Sequence, residues 1–115
     1  MKKLAYILAI TLFTSVQFAQ ADDAAGAKLY TEKACLSCHG EAGAKPIMEA
    51  YPKLAGQSAA YMVQQMKDIR DGKRTNGLSA TMMGIMAGMS DDDIGKIASY
   101  LASLAPAPAT PAATQ

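Results

Sequence analysis

Tryptophan is absent, and both phenylalanines, Phe13 and Phe18, fall in the first 20 residues. Beyond them the aromatic side chains are Tyr30, Tyr51, Tyr61 and Tyr100. A small chain with so few rings has limited means to fill a core from its own residues. No stretch shows convincing strand alternation. There are two cysteines and one histidine. Zinc usually takes four Cys or His ligands, so this set is one short, and the nearest carboxylate, Glu41, is badly placed to close a tetrahedron. A disulfide across two intervening residues would be a strained loop. A dithiol redox pair normally sits in a βαβ context that this chain lacks. Neither sign of charge is in excess, with 11 Lys+Arg against 10 Asp+Glu, so there is no basic footprint for nucleic acid. No apolar run reaches the roughly 20 residues of a membrane span. The longest, Leu4 to Phe18, is shorter and is diluted by Thr11, Thr14, Ser15 and Gln17.

What the chain does have is Cys35-Leu36-Ser37-Cys38-His39. This Cys-x-x-Cys-His pentad is the signature of covalent c-type haem attachment. Thiols three residues apart share one face of a helical turn. Each can form a thioether with one vinyl group of a haem. His39, the next residue, can then coordinate the iron through an imidazole nitrogen. The chain has no other cysteine or histidine to compete for these roles.

The N-terminus supports this reading. Lys2 and Lys3 precede the apolar run, and Ala19-Gln20-Ala21 is a small-x-small cleavage site, so residues 1–21 read as a cleaved secretory signal. Attachment of this type in bacteria follows export, which places the mature chain in the periplasm. Without Lys2 and Lys3 the formal charge falls from +1 to −1. Residues 22–104 form one small domain. A covalent haem, a large flat hydrophobe, would act as its staple.

Along this domain, Ala24 to Ser37 reads as the first helix, with Gly26 and Tyr30 on one face. Gly26 allows another helix to approach closely. Residues 40–57 read as loop, broken by Gly43, Pro46, Pro52 and Gly56. It carries Ile47, Met48, Tyr51 and Leu54, as a loop wrapped around something apolar would. Ser58 caps a helix over Ala59 to Asp71 with Met62, Met66 and Ile69 as its apolar stripe, and Gly72 stops it. Lys67, Arg70, Lys73 and Arg74 read as an ordinary solvated face. Residues 76–89 are rich in Gly and Met. Ser90-Asp91-Asp92-Asp93 then caps a last helix that runs to about Leu104. Residues 105–115, of Pro, Ala and Thr, read as a disordered tail or extended spacer.

Gly26-x-x-x-Tyr30, the pentad with Gly40, Pro52-Lys-Leu-Ala-Gly-Gln57, the Tyr61-to-Arg74 segment, the Met cluster and Ser90-Asp-Asp-Asp-Ile94 occur in that order. The ordered set, over residues 24–104, resembles a class I c-type cytochrome, closest to the bacterial cytochrome c553/c4-like monohaem group. The resemblance implies an all-α fold, with N- and C-terminal helices crossing and loops wrapped around one haem c. It implies that the Pro52 carbonyl orients His39 and that Leu54 packs on the haem. It implies a methionine as sixth iron ligand, a thioether that raises the reduction potential. Counting back from Met89, the residue before the Ser90 N-cap, the family register points to Met82, with Met83 and Met86 as alternatives. Gln57, Arg70, Arg74 and Asn76 are propionate partners by type alone. The function implied is one-electron transfer between redox proteins, not an enzyme, with transient docking and an undetermined oligomeric state. The rival within the resemblance is a cytochrome subunit of a periplasmic flavoprotein dehydrogenase, similar to the sulfide dehydrogenases.

Overall fold

The computed structural model describes residues 15–106, with side chains from Ala21 onward. Residues 1–14 of the expected leader and 107–115 of the expected tail lie outside the described residues. The described chain is helical: α1 (Ser15–Glu32), α2 (Leu36–His39), a 3₁₀ turn (Glu41–Gly43), α3 (Ala59–Arg70), α4 (Ser79–Met86) and α5 (Asp91–Ser103). No strand occurs among the described residues, and no helix among them is long and apolar enough to cross a membrane.

The last helix, α5, organises the core. Ile94, Ile97, Ala98 and Leu101 fall at the i, i+3, i+4, i+7 positions of one face and are fully buried. Burying each of the three large side chains stabilises the fold by roughly 1.5–3 kcal/mol. Its start is fixed by a reciprocal capping box. Ser90 Oγ accepts from the Asp93 amide at 3.1 Å, and Asp93 Oδ2 accepts from the Ser90 amide at 3.4 Å. Helices α1 and α3 both pack on α5, and α4 packs on α3.

Gly26 is the point of closest approach between α1 and α5. A Cβ there would lie 2.6 Å from Tyr100 Cβ and would collide with the Lys96 carbonyl. One turn on, the rings of Tyr30 and Tyr100 meet at 6.0 Å and are tilted by 58°. Gly26→Leu is expected to overpack this contact and cost about 1–3 kcal/mol. A thermal melt of the haem-loaded protein checks it, and an unchanged midpoint would mean that the helices tolerate a side chain there.

Two elements differ from the sequence reading. The first helix spans Ser15–Glu32 where the reading had Ala24 to Ser37, so it starts earlier and ends sooner. The Cys35 amide bonds to the Tyr30 carbonyl at 3.1 Å, and the Ala34 amide bonds to that of Thr31 at 3.1 Å. This is a Schellman stop, with Ala34 at φ 60° where glycine is usual. The missing glycine hides the stop. The second difference is α4, which forms inside the Gly- and Met-rich stretch and buries Ser79 and Met86. The other segments follow the reading, with α3 capped by Ser58 and ending at Arg70.

Candidate functional site

The pentad begins right after the Schellman stop. Cys35 has helical dihedrals and leads into α2, so Cys35 and Cys38 belong to one tight turn. Both thiols are free and half-buried. Burial pushes the Cys35 thiol up to about 11, with Cys38 adding to the shift against the Cys35 backbone, so it stays protonated at neutral pH.

His39 is buried, with 4 % of its surface exposed. Its Nδ1 lies 2.9 Å from the Pro52 carbonyl oxygen. A carbonyl only accepts, so Nδ1 carries the proton and donates. In the neutral imidazole Nε2 then keeps its lone pair, the form of histidine that binds a metal. The Tyr51 ring, 6.2 Å from the imidazole, adds a second restraint.

Several bonds hold the segment around this histidine. The Tyr30 hydroxyl, from α1, donates to the Gly40 carbonyl at 2.7 Å. Burial raises the Tyr30 pKa, and the phenol stays a donor throughout the accessible range. Gly40 has φ 77°, and a Cβ there would collide with the Lys45 carbonyl, so the turn after His39 requires glycine. The Ile47 amide bonds to the Cys38 carbonyl at 3.1 Å, and the Leu54 amide to that of Gly43 at 2.8 Å. The Gly56 amide reaches the Leu101 carbonyl of α5 at 2.9 Å. Residues 40–57 are thereby folded back over the pentad and tied to the core.

The predicted site residues fall in two groups. Cys35, Cys38, His39 and Pro52 come together directly. Leu54 and Met82 are half-buried at the edge of the main apolar cluster, on the returning loop and on α4. Among the methionines, Met62, Met86 and Met89 are buried by protein atoms alone. Met66, Met82 and Met83 are half-buried, and Met48 is exposed. The type-based propionate candidates have other partners. Arg70 binds Asp71, Asp91 and the Met89 carbonyl. Arg74 binds Gln65 and Asn76. Gln57 Oε1 accepts from the Ser58 amide. No local pattern announces the Arg70 or Tyr30 bonds, although a buried tyrosine hydroxyl requires some partner.

These residues fit a c-type haem. Two free thiols three residues apart adjoin an imidazole whose Nδ1 is committed to the Pro52 carbonyl. Large apolar side chains remain exposed beside them, Leu36 within the turn and Ile47 hydrogen-bonded to it through the backbone.

The comparisons agree with this chemistry. Residues 24–105 match the family model described as Cytochrome c. The chain is 42 % identical over 104 residues to the cytochrome c4 of Pseudomonas aeruginosa, covering 90 % of this chain and 49 % of that protein. It is 44 % identical over 69 residues to cytochrome c-554(548) of Halomonas halodenitrificans, covering 60 % of this chain and 82 % of that one. The crystal structure of reduced recombinant cytochrome c4 from Pseudomonas stutzeri superposes with a TM-score of 0.66 at 35 % identity. That match covers 75 % of this chain and 50 % of the other. The chain thus spans about half the length of the cytochrome c4 proteins it resembles here.

Proposed function

The chain belongs to the cytochrome c family, whose cofactor is covalent haem c, and we propose that it works as an exported, periplasmic one-electron carrier with a single haem. The observation that carries this reading is the buried His39 with Nδ1–H held by Pro52, in the same turn as two free thiols. A bound haem supplies the Fe(III)/Fe(II) couple. Cys35 and Cys38 would hold the group covalently, and His39 Nε2 would coordinate its iron. Pro52 keeps the imidazole in one tautomer and one plane. Leu54 would pack against the group, and the Met82 sulfur would be the second protein ligand. Two protein ligands keep small molecules off the iron, which suits a carrier that passes electrons and turns over no substrate. Half-exposed cysteines and the exposed Leu36 and Ile47 leave an apolar rim for another redox protein to touch. Such encounters use small, transient interfaces.

The test is the mass of the exported protein. It should exceed that of the polypeptide from Asp22 to Gln115 by one haem, and acidic acetone should leave the haem on the chain. Extractable haem, or zinc in its place, would end the attachment reading. A mature N-terminus at Met1 would end the export reading alone.

A further inference from the structure

We propose that Arg70 is a positioning residue for the methionine ligand, clamping the segment that carries it onto the end of α3. The proposal rests on Met82 being that ligand. The segment is short: α4 ends at Met86, and α5 begins at Asp91. Helix α4 has no side-chain cap at its start. Its far end, in contrast, is anchored at three successive residues. Arg70 Nη1 donates to the Met89 carbonyl at 3.2 Å. Ser90 closes the capping box of α5. Asp91 accepts from Arg70 Nη1 at 2.7 Å and from Lys67 Nζ at 2.8 Å.

The guanidinium is itself held in place. Asp71 Oδ1 accepts from Arg70 Nε at 2.9 Å, and the Arg70 side chain is 21 % exposed. The bond from Arg70 holds Asp71 below the usual carboxylate range, those from Lys67 and Arg70 hold Asp91 there, and Asp71 and Asp91 raise Arg70 above its own range. Exposed ion pairs of this kind contribute little by themselves. The bond to Met89 is of another kind. It joins a charged donor to the carbonyl of a buried residue, and it spans 19 positions of sequence. Only a forked side chain satisfies the Met89 carbonyl, Asp71 and Asp91 together. With Met86 and Met89 packed in the core, the bond leaves the Met82 turn little freedom to swing away from an iron. Arg74 makes a weaker counterpart at the near end, bonding Gln65 of α3 at 2.9 Å and Asn76 at 3.3 Å.

The experiment uses haem-loaded Arg70→Gln, Arg70→Lys, Lys67→Ala and wild type. Two signals are followed on warming the ferric protein: the far-red sulfur-to-iron charge-transfer band and the far-ultraviolet helix signal. Imidazole titration at fixed temperature reads how readily the sixth position opens. In wild type the two signals should fade together. In Arg70→Gln the band should fade at a lower temperature than the helix signal, and apparent imidazole affinity should rise on the order of tenfold, equivalent to about 1.4 kcal/mol. Arg70→Lys should fall between, because an ammonium keeps the charge without the fork. Lys67→Ala keeps the Met89 bond and should behave as wild type.

An Arg70→Gln protein with unchanged imidazole affinity, or with both signals shifted equally, would make Arg70 merely structural and overturn the proposal. An effect of Lys67→Ala as large as that of Arg70→Gln would overturn it too, since ion pairing alone would then account for the clamp. A wild type without the band would remove methionine ligation itself, and the clamp with it.

Discussion

Cys35→Ala combined with Cys38→Ala is expected to leave a chain without a cooperative melting transition. The apolar core of the described residues is one-sided. Tyr30, Met62, Ile69, Met86, Met89, Ile94, Ile97, Ala98 and Leu101 form one cluster, contributed by the helices and the turn that leads into α5. The segment from Lys33 to Gln57 adds none of these residues. Ile47, Met48 and Leu36 stay on the surface, 65 %, 47 % and 39 % exposed, and Leu54 reaches only the edge of the cluster. It is held by a few hydrogen bonds, among them Tyr30 to Gly40, Ile47 to Cys38 and Gly56 to Leu101. Each is worth only about 0.5–1.5 kcal/mol net, against about 1–2 kcal/mol of backbone entropy for every residue ordered. Such a segment needs a large apolar group to pack on, and a small domain has little stability in reserve. Without the two thioethers that group is no longer fixed to the chain. Far-ultraviolet circular dichroism on heating is the check. A single sharp transition in the double mutant, at the midpoint of the haem-loaded protein, would show that the polypeptide supplies its own core.

The parts of this molecule that were legible in the sequence are those whose physics is local. The pentad is five consecutive residues, and its spacing alone dictates one turn. The capping box of α5 is four residues long, and the apolar stripe behind it repeats at the helical period. Gly26 stood out because glycine in a helix is costly unless something must come close. The Lys96 carbonyl and Tyr100 do come close. The parts that were missed depend on partners far along the chain or on missing signals. Ala34 occupies the left-handed position where glycine normally marks the end of a helix, so α1 looked as if it ran on to Ser37. Residues 76–89 showed only a richness in Gly and Met, yet α4 forms around Gly84, with Ser79 and Met86 buried against the rest of the fold. Tertiary packing there outweighs a local helix propensity deficit of about 1 kcal/mol for the glycine. Arg70 looked like one of four solvated cations. Its partners Met89 and Asp91 lie 19 and 21 residues downstream, and no local pattern announces them.

Met82→Ala is expected to abolish the far-red charge-transfer band, lower the reduction potential and let the ferrous protein bind carbon monoxide. The structure narrows the choice of sulfur by burial. Met62, Met86 and Met89 are 5 %, 1 % and 4 % exposed, so protein atoms already surround them. Met48 lies in the loop whose Tyr51 ring is 6.2 Å from the His39 imidazole and tilted by 54° to it. It therefore belongs to the histidine side of the site. Met66, Met82 and Met83 are half-buried; Met66 belongs to the apolar stripe of α3, which leaves Met82 and Met83 on α4. Neighbouring helical residues point about 100° apart, so one direction is served by one of the pair. Met82 lies one full turn before the buried Met86, and the family register selects it. Met83→Ala should therefore keep the band. Met86→Ala provides the opposite pattern. Removing that buried side chain should cost about 2–5 kcal/mol of stability while the band, measured well below the melting point, persists. Loss of the band in Met83→Ala alone would move the ligand by one residue and leave the fold and the carrier reading standing. A wild type without the band would remove the methionine ligand altogether. The iron would then have an open position, and a protein that binds small ligands would replace the electron carrier.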